Sequence, residues 1–346
     1  MVGSRASFTI EPREGQMKKD STSGQLDALA EQVGKHPDYR VLRRLDTSVE
    51  YPALTGPDVA RGVILDTETT GLDWAADKII ELGLVVFEYE RGTGAIGRVL
   101  GSYDGLEDPG MAIPPASTAV HGITDEMVTG QRLDDAAIAR LMEGVAVVIA
   151  HNAGFDRKFV EGRLPRFADL PWGCSFKELP WDVAGIGSAK LEYLAYQYGF
   201  FYEGHRAEID CRALLEILRR PLGRVWEGRG AGAEDLFSGP DWAVRDVAAG
   251  TTALKSLLDR ARLPSYRVWA TGSPFETKDV LKARQYRWDG DERCWWIELP
   301  AEALEAELAW LRTAVYGGRS AVVDVDVLDA RVRYSTRSGK RERRGL

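Results

Sequence analysis

The stretch that decides the fold is VILDTETTGLD, Val63 to Asp73. Three apolar residues run straight into Asp66, and Glu68 follows two positions later. On a strand, residues i and i+2 project from the same face, so both carboxylates point one way. Val63, Ile64 and Leu65 predict a strand buried on both faces, and Thr69-Thr70-Gly71 predicts the turn that ends it. Two anions held side by side in such a place repel each other unless a cation lies between them. A lone D-x-E arises by composition about once per few hundred residues. Its meaning depends on what else the chain brings to it.

Two further stretches bring carboxylates. In AVVIAHNAGFDRKFV, Ala146 to Val160, an apolar strand ends at His151-Asn152 and a helix opens with Asp156 in its first turn. Taken alone, Asp156 would equally serve the helix dipole. Phe155 and Phe159, four apart, are expected to anchor that helix on the sheet. In HRAEIDCRALLEIL, His205 to Leu218, the residues Cys211, Leu214, Leu215 and Leu218 form one buried stripe. Asp210 borders that stripe, where an unpaired carboxylate costs on the order of several kcal/mol. Three of the four histidines, His121, His151 and His205, fall in loops beside these motifs. Four carboxylates on three segments suit hard, oxygen-seeking cations such as Mg²⁺ or Mn²⁺. Two such ions roughly 4 Å apart clamp an in-line displacement at phosphorus. An imidazole with a pKa of about 6.5 accepts a proton from the attacking water.

In order and spacing these motifs resemble those of the DEDDh 3′–5′ exonucleases, the epsilon proofreading subunits of bacterial replicative DNA polymerase among them. The resemblance runs over roughly 58–220, and VHGITDEMV at 120–128 also fits a segment near the family's active site. It implies an RNase H-like fold, a mixed five-stranded sheet flanked by helices. It also implies Asp66, Glu68, Asp156 and Asp210 as ligands of two divalent metal ions, Asp66 touching both, and His205 as the general base. Thr69, Leu72, His121, Asn152 and Phe155 would line the pocket for the 3′-terminal nucleotide. The sister subclass has tyrosine four residues before its last aspartate; Arg206 stands there in this chain, which favours the histidine subclass.

The implied activity is removal of nucleotides from DNA 3′ ends, single-stranded or frayed, in replication proofreading or repair. A DNA polymerase or a sliding clamp is the implied partner. GQLDALA, around Gln25 and Leu26, loosely resembles a clamp-binding peptide but reads more readily as a helix start. Two other readings stay open. One is a 3′–5′ exoribonuclease, since contacts to a 2′-hydroxyl separate RNA from DNA. The other is an inactive nucleic-acid-binding or polymerase-accessory protein, whose expected mark, a missing ligand or histidine, is absent here.

Bulk properties set the frame. The 346 residues, 44% hydrophobic and 28% charged, suffice for one medium domain and a smaller one. A net charge of −8 excludes a global basic field, so any nucleic-acid site is local. Cys174, Cys211 and Cys294 share no C-x-x-C spacing, which points to free thiols rather than disulfides or zinc. With no apolar run of roughly 20 residues, neither a membrane span nor a membrane partner is expected, and the protein reads as cytoplasmic.

Along the chain, 1–57 is expected to hold a disordered tail over 1–25 and short helices over Leu26–Leu45, the second starting at Pro37. The exonuclease-like domain is placed at 58–222, with strands at 62–68, 79–90, 97–103 and 146–150 and helices at 134–143, 155–162, 189–198 and 206–219. A Gly-rich linker and a helix at 251–262 make up 223–264. A small α+β domain follows at 265–316. There Ser273 and Glu276 predict a capping box with Pro274 at the first helical position, and Asp289-Gly290-Asp291 predicts a hairpin. A further helix is expected to bury Leu304, Leu308, Leu311 and Val315. Residues 317–346 read as one alternating strand, VVDVDVL, and a basic tail. Nothing after Pro221 resembles the polymerase-docking tail of the epsilon subunits. The layout of 221–346 is similar to proofreading-like exonucleases with a small C-terminal domain. Half of the ten tryptophans lie from Trp269 onward, mostly as expected core for so small a unit, with a basic-aromatic surface as the alternative.

Overall fold

A computed structural model describes residues 21–222 and 251–346, so the expected N-terminal disorder and the Gly-rich linker lie largely outside it. The first sheet contains β1 (Val59–Thr69), β2 (Ile79–Glu90), β3 (Ile96–Leu106), β4 (Val145–Ala150) and β5 (Trp172–Cys174), in the order β3-β2-β1-β4-β5. The first three strands form an antiparallel meander; β4 runs parallel to β1 and β5 parallel to β4. This mixed five-stranded, helix-flanked sheet is the RNase H-like arrangement that the motifs imply. β5 escapes the sequence reading because its three residues, Trp-Gly-Cys, are too few to show any period.

Strand alternation sorts the core into two layers. Ile64, Val85 and Phe87 face a cluster that includes α5 (Leu191–Gln197) and α6 (Ala207–Leu218), and α7 (Ala253–Arg262) joins it through Leu254 and Leu257. Val63, Leu65, Leu82 and Leu84 face the other layer with Phe159 and Val160 of α4 (Ala153–Arg163). Three short helices, α2 (Pro115–His121), a single turn at Asp125–Val128 and α3 (Asp135–Leu141), lie between β3 and β4 in the chain. Asp66 and Glu68 continue the Ile64 side of β1 toward α6, whereas Thr67 continues the Leu65 side toward α4.

Near the N-terminus, α1 (Ser21–Gly34) is one helix containing Gln25 and Leu26, and no second helix starts at Pro37. Arg43–Arg44 instead pairs in parallel with Phe200–Phe201, and the Arg40 guanidinium lies 3.8 Å from the Tyr196 ring centroid. Tertiary pairing overrides the local helical preference there.

The second sheet is wholly antiparallel: β6 (Ser265–Trp269), β7 (Arg287–Asp289), β8 (Cys294–Pro300), β9 (Val322–Leu328) and β10 (Lys340–Gly345), in the order β10-β9-β6-β8-β7. Helices α8 (Lys278–Ala283) and α9 (Leu304–Trp310) cover one face. Leu304, Leu308, Leu311 and Val315 are buried as expected. The capping box does not form. Pro274 is extended at ψ 143°, Phe275–Thr277 makes a single 3₁₀ turn, and no side chain caps it.

The basic run after β9 is not a free tail. Between β9 and β10 the chain leaves its own sheet and inserts into the first domain. Trp172 N–H, on edge strand β5, donates to Ala330 O at 2.8 Å. Arg157, fully buried on α4, donates to the carbonyls of Ala330 (3.0 Å), Arg331 and Arg333 (2.7 Å). Arg333 is itself buried and forms an ion pair with buried Glu178, whose other oxygen accepts from Cys174 N–H at 2.7 Å. Removing one partner of a buried pair leaves the other charge desolvated. Arg333→Ala should therefore cost about 3–5 kcal/mol of unfolding free energy by urea titration. The double variant Arg333→Met/Glu178→Gln should recover most of that loss.

Candidate active site

The site forms where β1 leaves the sheet. Asp66 and Glu68 come from β1, and Asp210 comes from the first turn of α6. Oxygen atoms of these three carboxylates lie within 4.8 Å of one another. Asp156, in the first turn of α4, does not join that group. Its Oδ1 accepts from Thr67 N–H at 3.2 Å and Thr67 Oγ1–H at 2.8 Å, on the opposite side of the strand. It remains close enough to Asp66 for their charges to repel.

The closeness of Asp210 to the strand has a backbone cause. Gly83 pairs with Asp66 across the β1–β2 ladder. A Cβ there would fall 2.3 Å from the carbonyl carbon of Ala207, so only glycine lets α6 press this near the sheet. Glu81, opposite Glu68 and fully buried, fixes the contact. It accepts from Ala207 N–H at 2.9 Å and from the Arg206 guanidinium at 2.9 and 2.7 Å. Asp210 then accepts from Arg206 N–H and Tyr202 O–H, each at 3.0 Å.

Glu81 and Tyr202 escaped the sequence reading. Glu81 had a signal: it is the one charged residue within the apolar run IIELGLVVF, and a carboxylate there requires donors. Tyr202 had none, since it lies eight residues before Asp210 in an irregular segment.

The other candidate residues are each held by local contacts. His205 occupies the left-handed region at φ 63°, half-exposed, with Nε2 3.6 Å from Glu192 Oε1. A Cβ on the preceding Gly204 would lie 3.7 Å from Asp210 Oδ1, so the His205 loop borders the carboxylates. Thr69 Oγ1–H donates to Gly71 O at 2.6 Å, shaping the turn from which Leu72 projects, 85% exposed. His121 is buried; Nδ1 accepts from Ile123 N–H at 3.0 Å, and Nε2 has no partner among the described residues. Asn152 takes φ 76° at the start of α4, and the Phe155 ring stands 5.0 Å from that of Phe159. His151 is held between Ser175 Oγ (2.8 Å) and Ala189 O (2.7 Å), and burial pushes its pKa down to about 4. It is a neutral structural imidazole.

The donor set fits divalent cations. Burial first, and then mutual repulsion with Asp156, Asp210 and Glu68, holds the Asp66 carboxyl well above its usual range. Burial and the neighbouring anions push Glu68 to about 8. Burial raises Asp156 to about 7 and Asp210 to about 6, despite the hydrogen bonds that oppose it. Hard oxygen ligands that resist ionising together bind best with positive charge among them.

The chain belongs to the exonuclease family (RNase_T), whose model matches residues 63–218. It is 33% identical over 162 residues to the DNA polymerase III subunit epsilon of Treponema pallidum, a match covering 44% of this chain and 72% of that protein. Against the DNA polymerase III PolC-type of Clostridium perfringens it is 33% identical over 176 residues, 48% of this chain but only 11% of that protein. A solved structure of exonuclease X in complex with 5′-overhanging duplex DNA aligns at 27% identity and TM-score 0.33, covering 44% of this chain and 88% of that one.

The raised carboxyl values fix a sign. These groups hold protons in the folded state that the unfolded chain releases near pH 4. Stability from this source is full at acid pH and falls as pH rises through about 6, 7 and 8. In excess EDTA, the urea midpoint should therefore fall across that window. Mg²⁺ or Mn²⁺ should raise the midpoint progressively more as pH increases, since the cation binds the ionised carboxylates. A metal effect that is equal at both ends of the window would contradict this electrostatic account.

Proposed function

We propose that the protein is a two-metal-ion 3′–5′ exodeoxyribonuclease, acting on single-stranded or frayed DNA ends in proofreading or repair. The observation that carries this reading is the convergence of Asp66, Glu68 and Asp210 within 4.8 Å, with Asp156 beside them. Membership of the exonuclease family supports hydrolysis, and the polymerase III relatives favour DNA as substrate and a polymerase as partner.

Asp66, Glu68, Asp156 and Asp210 would hold the two ions. When bound, the ions acidify the attacking water and stabilise charge on the attacking and leaving oxygens. The chain's own groups supply the rest. His205 accepts the proton from water, and Glu192 at 3.6 Å steadies the imidazolium that results. Exposed Leu72 and the Phe155 ring flank the terminal base. The unpartnered His121 Nε2, together with Thr69 and Asn152, offers polar contacts to the nucleotide.

Asp66→Ala should abolish cleavage of a 3′-labelled oligonucleotide while leaving the protein folded, because removing one of several repelling carboxylates relieves strain. Excess EDTA should do the same to wild type, and robust activity in EDTA would sink the two-metal reading. His205→Ala should lower kcat by roughly 10²–10⁴-fold with little change in oligonucleotide affinity. A variant within a few-fold of wild type would remove His205 from the mechanism.

A further inference from the structure

The second sheet has one face covered by helices and one that is not. The helix-free face is an ordered array, buried at Trp269 and Asp326 and open toward Trp296 and Arg287. One row crosses all five strands as Arg287, Trp296, Trp269, Asp324 and Arg343. The next row carries Glu298, Arg267, Asp326 and Arg341. None of these residues belongs to the hydrophobic cluster on the other face. Core packing does not explain Trp296. It is half-buried, with the Arg267 and Arg287 guanidiniums 4.6 and 5.8 Å from its ring centroid.

The acids of this face are already engaged. Glu298 pairs with Arg267 at 2.6 Å, and Asp326 pairs with Arg341 at 2.7 Å while accepting from Trp269 Nε1–H at 2.7 Å. Asp324 lies 3.9 Å from Arg343. Arg287 makes no ion pair among the described residues, and neither do Lys158 and Lys177 on the first domain. Lys158 feels the charges of Lys177, Glu298, Arg267 and Arg287, so it lies near this face. A cavity of about 210 Å³ opens where the two domains meet, lined by Lys177, Glu178, Ser265, Glu298, Glu302 and Tyr334 among others. In a chain of net charge −8, such a concentration of unpaired cations is local and specific.

The cleft also connects with the candidate active site. Lys158 lies two residues beyond Asp156 on α4. A Cβ on Gly154, two residues before Asp156, would fall 3.4 Å from Lys177 Nζ. On its other side Lys158 lines a groove of about 680 Å³ with Trp74, Lys78 and Phe159, and half-exposed Trp74 lies two residues beyond Leu72.

We propose that the helix-free face of the second sheet, with Lys158 and Lys177 opposite it, is a binding surface for single-stranded DNA, holding the strand upstream of its 3′ end. Resting on the exonuclease reading, this assigns the second domain a role in holding substrate. Cations flanking an aromatic ring give phosphates and bases their partners a few ångström apart, as sequence-independent single-strand binding requires. The edge-strand position of Arg287 leaves the row open for a strand to pass.

The test measures binding by the full chain, in EDTA, of fluorescein-labelled oligothymidylates of increasing length by anisotropy. Wild-type affinity should rise with length until the strand spans the cleft. Trp296→Ala and Arg287→Ala should each weaken the long oligomer by roughly tenfold and leave trinucleotide affinity unchanged. Arg287→Ala should also lower the slope of log affinity against log salt by about 0.7, one phosphate contact. Arg287 is exposed and unpaired, so its variant tests the surface even if Trp296→Ala perturbs folding. Long oligomers binding both variants as tightly as wild type would overturn the proposal, and a clear preference for oligouridylate would overturn its assignment to DNA. If no nucleic acid is cleaved yet the variant losses persist, the catalytic reading fails and the surface stands. Cleavage with no variant losses gives the reverse.

Discussion

The close approach of α6 to the first sheet is the contact on which the rest of the site depends. It requires Gly83, because any side chain there would collide with the backbone at Ala207. It requires Glu81, whose buried carboxylate binds the first amide of α6 and the Arg206 guanidinium. An unpaired carboxylate at this depth would be costly, and three charge-assisted or helix-terminal hydrogen bonds offset the desolvation. Once Arg206 is pinned, its own N–H donates to Asp210, and the preceding residue, His205, is held at the mouth of the site in the left-handed region. One buried acid thus orders a metal-ligand candidate and a base candidate together.

The arrangement explains how Arg206 stands where the sister subclass has tyrosine. A hydroxyl still reaches Asp210, but it comes from Tyr202 on the segment leading into α6. The arginine then turns away from the carboxylate cluster toward Glu81, with Asp104 4.0 Å from its guanidinium. Burial and the Glu81 charge raise the Asp104 carboxyl to about 6, so this edge of the site is also rich in acid. Glu81 adds to the repulsion that raises the Glu68 carboxyl, and the Arg206 guanidinium opposes that rise.

What the sequence disclosed follows the reach of local pattern. The apolar runs before Asp66 and before His151 announced β1 and β4, and the 3.6-residue stripe of Cys211, Leu214, Leu215 and Leu218 announced α6, because each element carries its own period. The alternation of VVDVDVL gave β9, with Val323 and Val325 in the core of the second domain and Asp324 and Asp326 on the opposite face beside Arg343 and Arg341. Features that depend on a distant partner were not legible. The three-residue β5 exists because β4 offers it an edge. Arg43–Arg44 became a strand because Phe200–Phe201 pairs with it. The basic run at 331–337 read as part of a tail, whereas Arg333 is folded against Glu178 and Arg337 against Glu161. Among the site carboxylates, the sequence placed Asp66 and Glu68 on one face. It had no means of showing that Asp156 would approach from the other layer.

That last difference has a structural consequence. Asp156 stands outside the group of Asp66, Glu68 and Asp210, and its helix is secured by a segment near the other end of the sequence. Arg157, the next residue, is buried without exposure and satisfied by carbonyls of residues 330, 331 and 333. A guanidinium with so many donors tolerates burial only when each finds an acceptor, and the inserted segment supplies three of them. The register of α4 against β1 is therefore set partly by the segment that joins β9 to β10. The same segment places Tyr334, at φ 70°, beside Gly154 at the start of α4. The two domains consequently share one structural unit at the point where the candidate ligands meet. Asp66, Glu68 and Asp210 are assembled by contacts within the first domain, and the helix of Asp156 is braced by the second.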